Sequence, residues 1–209
     1  MERDESMAIS AATLSPVAPE IAECLALKSD VWIFGYGSLM WDPGFAYVEA
    51  QPALLQGYHR SFCVYSHRHR GTPARPGLVL GLDRGGACKG IAFRVPAADV
   101  ASALHYLWDR EMSNRTYHLR ELAVDIGGRP AKARAFVVDR DHANYAGRLS
   151  LDETARLILQ GTGGRGSCRQ YLENTVRELN KLGLIDGPLH RLEKKVKALA
   201  ARDMPCASL

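Results

Sequence analysis

The sequence predicts an α+β domain around a mostly antiparallel sheet, with closure into a small barrel left open. Three observations carry that expectation. Short runs of β-branched and aromatic residues, punctuated by Gly, Pro and Asp, fill the stretch from Val31 to Val95. Helical periodicity appears after them and dominates the last third of the chain. No internal repeat is visible. At 209 residues and 46% hydrophobic, the chain has enough apolar surface for one domain with its own core.

Residues 1–30 are rich in Ala, Ser, Pro and Glu and read as a mobile N-terminal extension, with one or two helical turns possible around Ile21 to Leu27. Residues 31–203 form the single domain. Its first strands are VWIFGY, ALLQGY, SFCVYSH, LVLGLD and CKGIAFRV. PAADVASALHYLWDRE follows as a helix with Asp99 at its N-cap. YHLRELAVDI and AKARAFVVD, joined across Gly127-Gly128-Arg129-Pro130, make a hairpin. Three helices close the chain: LDETARLILQ, CRQYLENTVRELNKLG and LHRLEKKVKALA, the last with Leu189, Leu192, Val196 and Leu199 on one face.

Composition removes several function classes. A net charge of +4 is too small to imply nucleic acid. The five cysteines are scattered with no C-x-x-C pair, so neither a zinc site nor a disulfide framework is expected. No run approaches the roughly 18 apolar residues that span a bilayer, and MERDESMAIS has no secretory character. The expectation is a cytoplasmic monomer without metal or cofactor, acting on a small molecule. One local bias stands out. Between Glu49 and Asp83 there is no acidic residue, while Arg60, Arg68, Arg70 and Arg75 fall inside with three histidines. That strip suits either an acidic substrate or a solvated basic loop.

Several familiar constellations are absent on inspection. GTGGRG (Gly161 to Gly166) has dinucleotide-loop spacing but follows a helical pattern, so a turn between helices is the better reading. Ser38 lies in G-Y-G-S-L and not in a nucleophile elbow. Cys63 sits in an alternating apolar strand, where a small core residue is expected. His67 and His69 lack a third ligand at useful spacing.

Two features point to chemistry. The run Tyr36-Gly37-Ser38-Leu39-Met40-Trp41 ends a strand with glycines, and such a turn aims backbone amides into one concavity. Glu111 follows Leu104 by seven residues, which puts it within roughly 20° of the apolar stripe Val100, Leu104 and Leu107. There, desolvation and the helix C-terminus both raise a carboxyl pKa toward that of a general base. The other reading ends the helix earlier and pairs Glu111 with Arg110 or Arg115 in solvent.

Taken together, the chain resembles the ChaC branch of the γ-glutamylcyclotransferases. The family's Y-G-S-L is Tyr36 to Leu39; its Y-L-x-x-R-E is Tyr106 to Glu111; its H-R-G-T-P-x-x-P-G is His69 to Gly77. Tyr117, and Tyr145 with Gly147, match its later tyrosines. The late S-G-x-N-x-E-Y-L is matched by RGSCRQYL, with Arg165, Cys168 and Gln170 in place of Ser, Asn and Glu. The resemblance implies a small mixed barrel flanked by helices and conversion of glutathione to 5-oxoproline and Cys-Gly. It implies Glu111 as catalytic base, and substrate binding by Tyr36, Gly37, Ser38, Leu39, Met40, Trp41, Arg70, Tyr117 and Tyr145. Another γ-glutamyl amine or peptide as substrate, or a non-enzymatic role in cation transport, stands as the alternative.

Overall fold

In the computed structural model, which describes residues 19–26, 28–111 and 115–202, the chain begins with a short helix, α1 (Pro19–Ala26). Ile21 and Cys24 lie on its inner face and are buried. The extension expected at residues 1–30 therefore contains a docked helix, because the apolar patch supplies two core side chains one turn apart. Residues 1–18 and 27 lie outside the described residues.

β1 (Val31–Gly35) is buried along almost its whole length. It has apolar neighbours on both faces: Phe34 enters one cluster with Leu55, Leu80 and Leu172, while Val31 and Ile33 enter a second with Leu104 and Leu107. A strand covered on both sides reads as a continuous apolar run rather than an alternating one. β2 (Glu49–Ser66) and β3 (Gly77–Val95) form a long antiparallel hairpin. Each absorbs two of the shorter strands expected from sequence. The glycine punctuation at Gly57 and Gly85-Gly86 survives as an irregularity in the ladder and not as turns, with a register shift at Gln56/Tyr58; a second shift, at Phe62/Val64, falls on Cys63.

α2 (Val100–Glu111) begins after Asp99, whose carbonyl accepts from Ala103 N–H at 3.0 Å. β4 (Tyr117–Ile126) and β5 (Arg129–Val138) then pair through a two-residue turn. Gly127 and Gly128 both take positive φ there, as the hairpin turn requires. β5 meets β1 in parallel at Ile33 and Arg134, which closes a barrel in the order β1-β3-β2-β4-β5. The expected α+β class and mostly antiparallel barrel are both present.

The remaining elements cover the barrel. α3 (Leu151–Gln160) carries a capping box between Ser150 and Glu153. A small hairpin follows, β6 (Thr162–Gly163) and β7 (Gly166–Ser167), then α4 (Cys168–Lys181) and α5 (Gly187–Arg202). GTGGRG is thus a connection between helices, as its context predicts. Leu189, Leu192 and Val196 of α5 are buried, with Leu199 packed partly against them. α1 and α2 cover the other side, where buried Arg134 of β5 pairs with Glu121 at 3.0 Å and with Glu23 of α1 at 3.5 Å.

Ile21→Ala is expected to lower the unfolding free energy by about 2–4 kcal/mol, the range for truncating a buried aliphatic side chain. Urea titration measures it, and a change under about 0.5 kcal/mol, as at exposed sites, would show that α1 does not dock.

Candidate active site

At the barrel end where β1 finishes lies a cavity of about 260 Å³. Its wall is assembled from the turn after β1, the 67–76 loop between β2 and β3, the C-terminus of α2, the start of β4, and the β6–β7 and α4 region. Segments far apart in sequence meet here because the barrel brings one end of each strand to the same rim.

The turn after β1 is a single 3₁₀ turn, Ser38–Met40. Met40 N–H donates to Gly37 O at 2.9 Å and Trp41 N–H to Ser38 O at 3.2 Å. A helical turn leaves its first amides without internal acceptors. Among the described residues the N–H groups of Gly37, Ser38 and Leu39 accordingly have no backbone acceptor. A Cβ on Gly37 would stand 3.2 Å from the Tyr171 hydroxyl, so glycine here lets that phenol lie against the turn.

Two arginines clamp this turn. Arg60, 4% exposed, donates from Nη1 to Tyr36 O at 2.7 Å. Its Nε lies 3.1 Å from the Asp186 carboxylate, an ion pair by distance without hydrogen-bond alignment. On the other side Arg110 donates to Ser38 Oγ at 2.9 Å, to Asp42 O at 2.8 Å and to the Tyr106 hydroxyl at 3.0 Å.

Glu111 completes the inner wall. The buried stripe Val100, Ala103, Leu104 and Leu107 of α2 leads to it, and its side chain is 24% exposed, opening into the cavity. It pairs with Arg110 at 3.3 Å, so both readings of the residue are partly realised: the ion pair exists, on the inward face. Burial raises the carboxyl pKa above its ordinary value, while the charges of Arg110 and Arg165 oppose the shift without cancelling it.

Three tyrosines surround the carboxylate. Burial holds the Tyr36 and Tyr117 phenols far above their usual pKa, and the negative charge of Glu111 adds to the effect. The hydrogen of each is committed: Tyr36 donates to Phe136 O at 2.9 Å and Tyr117 to Leu80 O at 3.0 Å. Their oxygens keep lone pairs to offer. Tyr171 differs, since its hydroxyl makes no hydrogen bond among the described residues. Burial raises its pKa as well, so it stays a donor. Phe62 meets its ring edge-on at 5.8 Å, and the Arg70 guanidinium lies 5.0 Å from its centroid.

Arg70 lines the cavity and also braces it. Its Nη1 donates to the carbonyls of Arg165 and Ser167 in the β6–β7 hairpin. Gly164 N–H and Arg165 N–H reciprocate to Arg68 O and His69 O, each at 2.9 Å. A Cβ on Gly163 would be 2.5 Å from Arg68 O, and one on Gly77 2.1 Å from Arg70 O. Gly161 and Gly163 thus let the GTGGRG segment press against the H-R-G-T-P loop, while Gly71 and Gly77 let that loop fold back closely on itself.

Of the sequence-predicted residues, Tyr36, Gly37, Ser38, Leu39, Trp41, Arg70, Glu111 and Tyr117 line this one cavity. Met40 and Tyr145 do not. Ser38 and Trp41, three apart on a 3₁₀ turn, share the cavity side, whereas Met40 turns into the core with its sulfur 3.5 Å from Arg60. Tyr145 is held by a bridge to Val64 and donates to buried Asp83 at 2.9 Å. Burial pushes the Asp83 carboxyl up, but hydrogen bonds from Arg140, Tyr145 and the Arg84 amide outweigh it and leave the pKa lowered. Sequence reasoning missed Tyr171, Arg110 and Arg165 as cavity residues. Tyr171 was visible only as the tyrosine of RGSCRQYL.

Cys63 is a core residue, its thiol pushed up to about 11 by burial. Cys168 starts α4, donates to Leu78 O at 2.8 Å and accepts from Leu78 N–H at 3.4 Å; burial pushes its thiol up to about 12. The thiol thereby tethers α4 to β3. Among the described residues no group of three His, Cys, Asp or Glu is placed to hold a metal ion. No described helix is long and apolar enough to cross a membrane.

Residues 31–199 match the family described as ChaC-like protein. A glutathione-specific γ-glutamylcyclotransferase of Escherichia coli is 38% identical over 192 residues, covering 90% of this chain and 83% of that protein. Human glutathione-specific γ-glutamylcyclotransferase 1 is 36% identical over 147 residues, 68% of this chain and 66% of that protein. In three dimensions, the crystal structure of a yeast γ-glutamyl cyclotransferase specific to glutathione superposes with a TM-score of 0.76 at 24% identity. That likeness covers 81% of this chain and 96% of the yeast one and shows the same fold.

A carboxyl whose pKa is raised in the folded state binds its proton more tightly there than in the unfolded chain. Stability therefore falls as pH rises from the unfolded value of about 4.3 through the raised one. Glu111→Gln removes that loss. Thermal melts are expected to show the variant more stable than the parent at pH 7, with the gain gone below about pH 4. An equal or lower melting temperature at pH 7 would contradict the burial argument.

Proposed function

Because the chain belongs to the ChaC-like family, we propose that it is a glutathione-specific γ-glutamylcyclotransferase, converting glutathione to 5-oxoproline and Cys-Gly. The observation that carries this reading is the position of Glu111: a carboxyl with a raised pKa on the wall of a cavity whose neighbouring turn offers unengaged amides.

The chemistry needs three things, and these residues are suited to each. Glu111 takes a proton from the substrate's α-ammonium, as a base of raised pKa does efficiently. The oxygens of Tyr36 and Tyr117 accept from the same nitrogen and orient it, since their own hydrogens are committed. The freed amine attacks the γ-carbonyl carbon of its own molecule. Negative charge grows on the carbonyl oxygen, where the amides of Gly37, Ser38 and Leu39 and the Tyr171 hydroxyl donate. Ring closure then breaks the C–N bond to cysteine. The ring nitrogen sheds a second proton, and the departing nitrogen takes up both as the ammonium of Cys-Gly. No atom changes oxidation state and no water is consumed. Nucleophile and electrophile sit in one molecule, so holding it curled supplies up to roughly 7–11 kcal/mol of the barrier.

The reading also takes the protein as a cytoplasmic monomer that works without nucleic acid, membrane or cofactor. Cys24, Cys63, Cys88 and Cys168 are all unpaired and buried, which suits a reducing compartment. The modest net charge of +4 suits a small substrate.

Incubation of the purified protein with glutathione is expected to give 5-oxoproline and Cys-Gly in equal amounts by mass spectrometry, and neither product would appear if the reading is wrong. Arg70→Ala is expected to raise KM roughly tenfold, about 1.4 kcal/mol of lost binding, with a smaller effect on kcat. An unchanged KM would leave Arg70 with only its bracing role.

A further inference from the structure

Glutathione carries two carboxylates, and the cavity's cations are not equally free to meet them. Arg110 has its guanidinium engaged by Ser38, Asp42 and Tyr106. Arg70 commits Nη1 to two hairpin carbonyls. His69 contributes little charge at neutral pH, because burial first and then the nearby Arg165, Arg68 and Arg70 lower its pKa. Two guanidiniums remain on the cavity wall without a hydrogen bond or ion pair among the described residues, those of Arg68 and Arg165.

They differ in placement. Arg165 rides on the β6–β7 hairpin, and its own backbone is pinned on both sides: N–H to His69 O at 2.9 Å and carbonyl to the Arg70 guanidinium. Its charge is felt by Glu111, after that of Arg110, whereas Arg68 has no resolved effect there. Like Arg68 it is exposed and lines the cavity, so it is accessible to a bound substrate. If Glu111 holds the α-ammonium, the adjoining α-carboxylate stays at the inner wall. The carboxylate of the leaving dipeptide lies two residues beyond the reacting carbonyl, about 7 Å away in an extended chain.

Resting on the glutathione reading, we infer that Arg165 recognises the glycyl carboxylate of the substrate and so selects a γ-glutamyl compound that ends in a free acid two residues from the γ-carbonyl. A guanidinium offers a carboxylate two parallel N–H donors, which an ester accepts poorly. The contact is made equally in ground and transition state, so it acts on KM.

The test compares glutathione with its glycyl monoethyl ester, using the full-length parent, Arg165→Ser and Arg165→Lys. The parent is expected to favour glutathione over the ester by about tenfold in kcat/KM, the scale of one charge-assisted contact at a partly exposed site. Arg165→Ser should raise KM for glutathione by about the same factor and bring the two substrates close to parity, because any effect of the lost charge on Glu111 falls on both substrates alike. Arg165→Lys should restore part of the preference, because charge returns without the fork. If Arg165→Ser turns over glutathione with the parent's preference intact, the inference is overturned. Parent protein that forms no 5-oxoproline from either substrate would overturn the glutathione reading instead, so the two failures are distinguishable.

Discussion

The site depends on one constraint: the turn from Tyr36 to Asp42 must hold its shape where the sheet gives it no support. Past Gly35 the chain has left the barrel ladder, and a single 3₁₀ turn is too short to be stable alone. Arg60 grips it from beneath at Tyr36 O, and Arg110 grips it from α2 at Ser38 and Asp42. Arg60 is almost fully buried, with Asp186 as counter-ion. Leaving such a buried charge without its partner typically costs about 3–5 kcal/mol. The turn, the α4–α5 connection and the base of the barrel are consequently tied into one unit. Arg110 also neighbours Glu111 in the chain, so the residue that fixes the proposed donors fixes the register of the proposed base.

Burial of Glu111 illustrates a trade between stability and chemistry. The apolar stripe of α2 ends in a carboxylate, and desolvation there disfavours the charged form. Arg110 and Arg165 relieve part of that cost. Had they relieved all of it, the carboxyl would be an ordinary weak base. The tyrosines fit the same logic, because phenols with strongly raised pKa keep their protons beside a carboxylate.

Much of this was legible in the chain. The α2 stripe located Glu111 on an inward face because helical spacing is a local property that tertiary contacts did not alter. The same holds for the α5 face and the Gly127-Gly128 hairpin. Strand lengths were not legible: Gly57 and the Gly85-Gly86 pair look like turns locally, yet the barrel continues β2 and β3 through them. Met40 was misplaced because the turn's 3₁₀ winding is a matter of backbone, with no side-chain signature. Tyr145 was misplaced because its partner Asp83 lies 62 residues away and no spacing rule connects them. The apposition of the H-R-G-T-P loop and GTGGRG hairpin was equally hidden, since each glycine run has a sufficient local explanation until the two backbones are seen in contact.

The central claim is that Glu111 is the general base, and the activity of Glu111→Gln tests it most directly. The amide keeps the shape of the side chain but cannot accept the ammonium proton at neutral pH. With folding confirmed by near-UV circular dichroism and glutathione binding by calorimetry, kcat is expected to fall by about 10²–10⁴, the usual contribution of such a base. A variant that folds, binds glutathione and keeps more than about a tenth of the parent's kcat, less than the smallest usual effect, would contradict the mechanism.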